Sequence, residues 1–306
     1  MKPVDKKCIV ITGANSGIGY AATQHFARKG DRIIMACRSM DKADKARQEI
    51  LAEVPAADLT VLRLDVSDLE SVQAFARQFI EQFGELDILI NNAGIVAIPL
   101  QRNSAGHEMQ MATNYLGAFA LTGLLLPHFR KQGECRIVNV CSLAHRMGKL
   151  LVDDLNWDQG EYDQWQSYGR SKVAMMSHTL ELNKRLQAQG SNVIALGAHP
   201  GFANTNIHSN SPALSKEKTN PVSKWFHAQM QKIIPSATQA AQPIILAAEG
   251  ADVKGGDYYG PGGLLETGIC GKPGKARINK AAFDPALAKQ LWEKSEQLSG
   301  VGFLNA

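Results

Sequence analysis

Short apolar stretches alternate along this chain with longer segments whose apolar residues recur every three or four positions. Lys7–Ile11, Arg32–Ala36, Leu59–Arg63, Ile88–Asn91, Arg136–Val140 and Asn192–Leu196 read as strands, with a short edge piece at Tyr258–Tyr259. Most are apolar almost throughout, as strands covered on both faces must be. Leu69, Val72, Phe75, Ala76, Phe79, Ile80 and Phe83 fall mostly three or four apart, which predicts a helix. Ser67 with Glu70 three residues later makes a capping box for it, and Gly84 ends it. Further helices are predicted over Ser104–Pro127, Ser167–Gln189 and Ser236–Glu249. Asp284-Pro285 reads as an N-cap followed by proline at the first helical position of a last helix, with Leu287, Leu291 and Trp292 as its apolar side.

Strands that alternate with helices describe an α/β fold, a doubly wound parallel sheet of about seven strands flanked by helices. No linker, repeat or low-complexity tract divides residues 1–306, so one domain is expected. Two stretches break the rhythm. Residues 150–166 are polar, with Trp157, Tyr162 and Trp165 set among acids, and residues 203–225 are rich in Asn, Ser, Lys and Pro. In an open α/β sheet such segments after strand ends enclose ligands. The second follows His199-Pro200-Gly201 and is expected to act as a substrate lid.

Hydrophobic residues at 44% and charged residues at 20% describe a globular chain. The net charge of +4, without a dense stripe of Lys and Arg, argues against a nucleic-acid partner. The five cysteines (Cys8, Cys37, Cys135, Cys141 and Cys270) are scattered and fit free thiols better than a disulfide framework. No apolar run is long enough for a membrane anchor, so a cytoplasmic location is expected. The eight histidines show no metal-ligand spacing, so no metal is expected.

The chemistry concentrates in a few places. After the first strand comes Thr12-Gly13-Ala14-Asn15-Ser16-Gly17-Ile18-Gly19, a glycine-rich turn that opens a helix. Glycines there let backbone N–H groups approach a pyrophosphate at the helix N-terminus. The second strand ends in Cys37-Arg38, where a cofactor lacking a 2′-phosphate would meet a carboxylate on its ribose. A guanidinium matches a phosphate instead, which favours NADP(H) over NAD(H). Asp65, beside Val66, could face the adenine or cap the next helix. In Asn91-Asn92-Ala93-Gly94 the small residues leave room for a cofactor, and the Asn side chains can tie neighbouring strands. Tyr168 and Lys172 lie four apart, on one helix face, where an ammonium favours the phenolate and lowers the phenol's pKa. His145 is open to a substrate contact or a structural role. Trp157, Trp165, Trp225 and Phe226 offer an apolar pocket wall, each of them equally a packing residue.

Taken in order, the Thr12-to-Gly19 turn, Asn91-Asn92-Ala93-Gly94, Asn114 in Asn-Tyr-Leu-Gly, Ser142, Tyr168-x-x-x-Lys172 and Pro200-Gly201 resemble the short-chain dehydrogenase/reductase family over about residues 6 to 265. The resemblance implies a Rossmann-type fold and hydride transfer between a nicotinamide and a carbonyl or alcohol. It implies that Tyr168 is the acid/base, that Lys172 holds the nicotinamide ribose, and that Ser142 hydrogen-bonds the substrate oxygen. Asn114 would maintain a helix kink and a water link to Lys172. Gly13, Asn15, Ser16, Gly17, Ile18, Gly19, Arg38, Asp65, Val66, Asn91, Ala93, Gly94, Pro200 and Gly201 would join Tyr168 and Lys172 around the cofactor. Within the family, Cys37-Arg38-Ser39, Asn139-Val-Cys-Ser-Leu-Ala-His145 and Asp257-Tyr-Tyr-Gly-Pro-Gly-Gly263 resemble the retinol dehydrogenase, WW-domain oxidoreductase and protochlorophyllide reductase branch. Cys141, where a second serine is common, and Gly169, where relatives carry bulkier residues, depart from it. An apolar small-molecule substrate is expected, and homodimers or homotetramers are the family's usual assemblies, with monomers also known. Two rivals share the fold. A non-catalytic nucleotide sensor or scaffold has no need of Ser142, Tyr168 and Lys172 together. A nucleotide-sugar epimerase or dehydratase usually carries a larger C-terminal substrate domain, for which little chain remains.

Overall fold

The computed structural model describes residues 6–201, 235–262, 271–278 and 283–304. Eight strands form one sheet in the order β3-β2-β1-β4-β5-β6-β7-β8. They are β1 (Cys8–Thr12), β2 (Arg32–Cys37), β3 (Asp58–Arg63), β4 (Ile88–Asn91), β5 (Cys135–Val140), β6 (Val193–Ala198), β7 (Tyr258–Pro261) and β8 (Pro273–Lys275). The first seven run parallel, and β8 returns antiparallel to β7. The expected seven strands thus gain an eighth, whose Pro-Gly-Lys sequence carries no apolar signal. The chain reverses its direction of travel across the sheet between β1 and β4, and in such folds ligands bind outside the strand ends at that point.

Alternate residues of each strand feed opposite cores. Val10, Ile34, Leu89 and Ile137 face one layer of helices, while Ile9, Ile33, Ile88 and Val138 face the other. The first layer holds α3 (Leu69–Gln82), α4 (Met109–Met111), α5 (Gly117–Leu125), α6 (Gln164–Ala188) and α8 (Pro285–Ser299). The second holds α1 (Gly17–Lys29), α2 (Met40–Glu53) and α7 (Ala237–Glu249). Trp292 of α8, fully buried, packs edge-on against Phe119 of α5 and docks the C-terminal helix.

Caps explain most helix ends. Ser236 and Gln239 form a reciprocal capping box on α7, and Asp284 accepts from Ala286 N at α8. At α3 the cap is Asp68, which accepts from Glu70 N, and not Ser67, whose hydroxyl donates to Asp65 at 2.6 Å. The helix expected from Ser104 starts only at Met109, because Asn103 Oδ1 folds residues 103–107 into a turn by accepting from Ala105 N and His107 N. Glu108 then caps it. Helix α6 begins three residues before Ser167, where the Asp163 side chain accepts from Gln166 N. The charged helix α2 was not signalled by apolar periodicity. Among the described residues no helix is long and apolar enough to cross a membrane.

Candidate active site

The turn after β1 folds on itself. Gly13 and Gly17 take left-handed φ of 66° and 54°. A Cβ on Gly19 would sit 2.3 Å from Gly13 O and 2.6 Å from Asn92 Nδ2, so helix α1 can approach this closely only with glycine there. Thr12 closes the other side, its Oγ1 accepting from the N–H groups of Asn92 and Ala93 at 2.9 Å each. Asn92 Nδ2 donates to Thr12 O at 2.8 Å. The N-terminus of α1 has no side-chain cap and no acid in its first turn, which leaves its N–H groups and positive dipole end for an anion.

These elements border a cleft of about 690 Å³ lined by Gly13, Asn15, Ser16, Gly17, Ile18, Arg38, Asp65, Val66, Ala93 and Gly94, among others. Two anticipated residues lie beneath it. Gly19 is buried in the turn, and Asn91 spends its amide inside the sheet, donating to Asn139 Oδ1 at 2.8 Å. Pro200 and Gly201 follow β6 and do not line this cleft; Gly201 N donates to His199 Nδ1. Asp65 does not cap α3, a place taken by Asp68; its Oδ1 accepts from Ser67 N and Oγ ahead of that helix, and its Oδ2 stands 3.9 Å from Arg38 Nη1 on the cleft wall. Arg38 is 74% exposed, so that contact leaves it available to a ligand. Lys42, Lys45 and Glu49 on α2 and Thr113 also line the cleft, and no sequence motif marks them. Lys42 and Lys45 fall three apart on one helical face just after Arg38, a signal that was present once the helix is known.

At the inner end of the cleft, a Cβ on Gly94 would stand 3.1 Å from Asn114 Oδ1 and 3.7 Å from Lys172 Nζ. Asn114 sits in a π-helical turn, Ala112–Leu116, between α4 and α5. Its side chain accepts from Ile95 N at 2.8 Å and donates to Ile95 O at 2.9 Å and Ser171 Oγ at 3.0 Å. The buried Lys172 donates to Val140 O at 2.9 Å and has its Nζ 5.9 Å from the Tyr168 ring centroid. Ser142 caps the turn Leu143–Arg146, its Oγ accepting from Ala144 N at 3.2 Å, and its side chain hydrogen-bonds Tyr168. Gly169 has a physical reason: a Cβ there would stand 3.1 Å from Gly148 N and Cα and 3.2 Å from Ala144 O, tighter than ordinary contact with the backbone that follows Ser142.

Charge here differs from the expectation of an acidified phenol. Burial pushes Tyr168 up to about 12, opposed by the hydrogen bond from Ser142, and burial brings Lys172 down to about 8. The lysine is tied to a backbone carbonyl and enclosed beside an equally enclosed phenol, so desolvation outweighs its attraction for a phenolate. Protonated phenol is the resting form.

The aromatic residues near residues 150–166 brace that segment. Trp157 lies 4.0 Å from the Arg170 guanidinium and edge-on to Tyr162, and Trp165 is exposed. Trp225, Phe226, Cys270 and the expected lid at 203–225 lie outside the described residues. Cys8, Cys37, Cys135 and Cys141 are free and buried, and among the described residues no cluster could hold a metal.

Residues 7–215 match the family model for short chain dehydrogenase. The chain belongs to the short-chain dehydrogenase/reductase family. It is 42% identical to mouse (Mus musculus) retinol dehydrogenase 12 over 297 residues, covering 96% of this chain and 87% of that one. With human (Homo sapiens) retinol dehydrogenase 13 the identity is 37% over 304 residues, covering 96% and 85%. A crystal structure of a protein from Mycobacterium paratuberculosis superposes with a TM-score of 0.78 at 35% identity, covering 97% of this chain and 94% of that one. This short-chain dehydrogenase/reductase is therefore an oxidoreductase of a family that uses nicotinamide cofactors. The cleft fits such a group: uncapped N–H donors, glycines that let the turn close against Asn92 and Ala93, and cations beyond them.

Proposed function

We propose that this protein is an NADP(H)-dependent oxidoreductase that interconverts a carbonyl and an alcohol on an apolar small molecule, with Tyr168 as acid/base. The observation that carries the reading is the meeting of Ser142, Tyr168 and Lys172 at the end of the cleft that starts at the glycine turn. Gly13, Asn15, Ser16, Gly17 and Ile18 would hold the pyrophosphate, Arg38 a 2′-phosphate, and Ala93 and Gly94 the cofactor's inner half. Bound there, a nicotinamide supplies or accepts the hydride. Everything else falls to the chain. In reduction, Ser142 and Tyr168 both donate toward the substrate oxygen, where negative charge develops, and so favour the transition state over the ground state. Tyr168 gives up its proton, and Lys172, by its charge, makes the phenolate tolerable. The likeness to retinol dehydrogenases supports an apolar substrate.

Titration with NADPH and NADH, then turnover on aromatic and medium-chain ketones, aldehydes and alcohols, tests the reading. NADPH is expected to bind more tightly, and Arg38→Ala should cost about tenfold in NADPH affinity, as loss of one charge-assisted contact does, with little change for NADH. Equal losses for both nucleotides would remove the 2′-phosphate from the argument.

The lysine gives a pH signature. Lys172 is cationic below about 8 and neutral above it, so its attraction for the dinucleotide is present at low pH and fades as pH rises through that value. The kcat/KM for nucleotide, which reports the free enzyme, should fall above about pH 8 in wild type. In Lys172→Met the same profile should be low and flat there; an unchanged descent would assign it to another group.

A further inference from the structure

Three buried aromatic side chains next to the Ser142 turn each leave a polar atom without a partner among the described residues: His145 Nε2, His199 Nε2 and the Tyr258 hydroxyl. All three residues are fully buried. Tyr258 lies between the imidazoles, edge-on to His145 with centroids 5.3 Å apart and tilted against His199 at 5.1 Å. Gly260 makes room for His199, since a Cβ there would come within 1.9 Å of Nε2. Unsatisfied buried polar atoms cost ~1–3 kcal/mol each, so an apolar cluster of similar volume would serve packing better. What an imidazole offers at position 145 beyond packing is its other nitrogen.

His145 Nδ1 lies 2.5 Å from the carbonyl oxygen of Ser142, and the His145 backbone N–H donates to the same oxygen at 3.1 Å. A carbonyl only accepts, so Nδ1 carries the ring hydrogen. Burial holds the imidazole neutral by lowering its pKa, which leaves Nε2 as a bare acceptor. His199 is the opposite tautomer: its Nδ1 accepts from Gly201 N, so in the neutral ring the hydrogen is on Nε2. On the Ser142 side chain, Oγ already accepts from Ala144 N, which leaves its own hydrogen to be donated.

We infer that His145 is a positioning residue: its Nδ1–H fixes the Ser142 peptide so that the hydroxyl is held beside the Tyr168 oxygen, with its one hydrogen available to the substrate oxygen, and Tyr258 and His199 brace the ring. This rests on the proposed roles of Ser142 and Tyr168. The test compares His145→Asn with His145→Gln, reading single-turnover hydride transfer on the best carbonyl of the panel, nucleotide affinity and the thermal midpoint. An asparagine amide nitrogen falls near the place of Nδ1, whereas a glutamine amide reaches the place of Nε2 and fills the site better. Positioning predicts that Gln lowers the hydride-transfer rate about tenfold or more while nucleotide affinity holds, and that Asn recovers most of it. Packing alone predicts the reverse order, and that order, or equal rates, overturns the inference. If the Gln variant does not fold, His145→Leu takes its place with the same reading. Ser142→Ala is measured alongside. Full activity in that variant would fail the proposed function itself, whereas its loss with His145→Gln at the wild-type rate fails only the role of His145.

Discussion

Tyr168→Phe is expected to lower turnover by ~10²–10⁴, the usual worth of a positioned proton donor, with nucleotide affinity almost unchanged. Phenylalanine keeps the ring, its place on α6 and its neighbours, so the change isolates one oxygen. That oxygen is the partner of Ser142 at the end of the cleft. If it acts only as charge builds on the substrate, kcat and kcat/KM for substrate fall together. A rise in KM with kcat intact would instead make Tyr168 a binding contact. The raised pKa of about 12 adds a direction: Tyr168 stays protonated through the neutral range, ready as an acid for reduction. For oxidation it must first be a base, so that rate should climb toward alkaline pH in wild type and lose the climb in the variant. Steady-state profiles in both directions, beside fluorescence titration of nucleotide, decide it. Near-wild-type turnover would take Tyr168 out of the chemistry.

The sheet and the larger helices were legible because their signals are local. An apolar run flanked by turns marks β4, and Asp284-Pro285 marks the start of α8. Glycine 13, 17 and 19 announced the turn, although only the approach of Asn92 shows why Gly19 admits no Cβ. Other features depend on partners distant in sequence. Helix α2 buries only Ala43, Ala46 and Ile50, with Leu51 half-buried beside them, too thin a stripe to stand out, so Lys42 and Lys45 could not be placed on the cleft. Strand β8 is defined by pairing with β7 and not by its own residues. The acidity of the phenol is hidden from the sequence for the same reason. Spacing brings Lys172 to Tyr168, but burial of both groups, which a sequence does not state, sets the balance.

The second large effect concerns Gly117, the first residue of α5, just past the π-helical turn that carries Asn114. On helix propensity alone, Gly117→Ala should stabilise the protein by about 1 kcal/mol. Here the sign reverses. An added Cβ would lie 1.7 Å from Val66 O and 2.7 Å from Val66 C, and these are backbone atoms that cannot rotate aside. Either α5 or the segment after β3 must shift, and overpacking of this kind costs ~1–3 kcal/mol or more. Val66 lines the cleft next to Asp65, so a displaced Val66 also weakens nucleotide binding. The expected result is a thermal midpoint several degrees lower together with reduced nucleotide affinity, while the Ser142 turn, across the cleft, is untouched. Gly274→Ala is the control: among the described residues no atom lies within 4 Å of its Cβ and its φ is ordinary, so neither quantity should move. A Gly117→Ala protein as stable as wild type would mean that α5 and β3 lie farther apart than this packing requires, and the floor of the cleft with them.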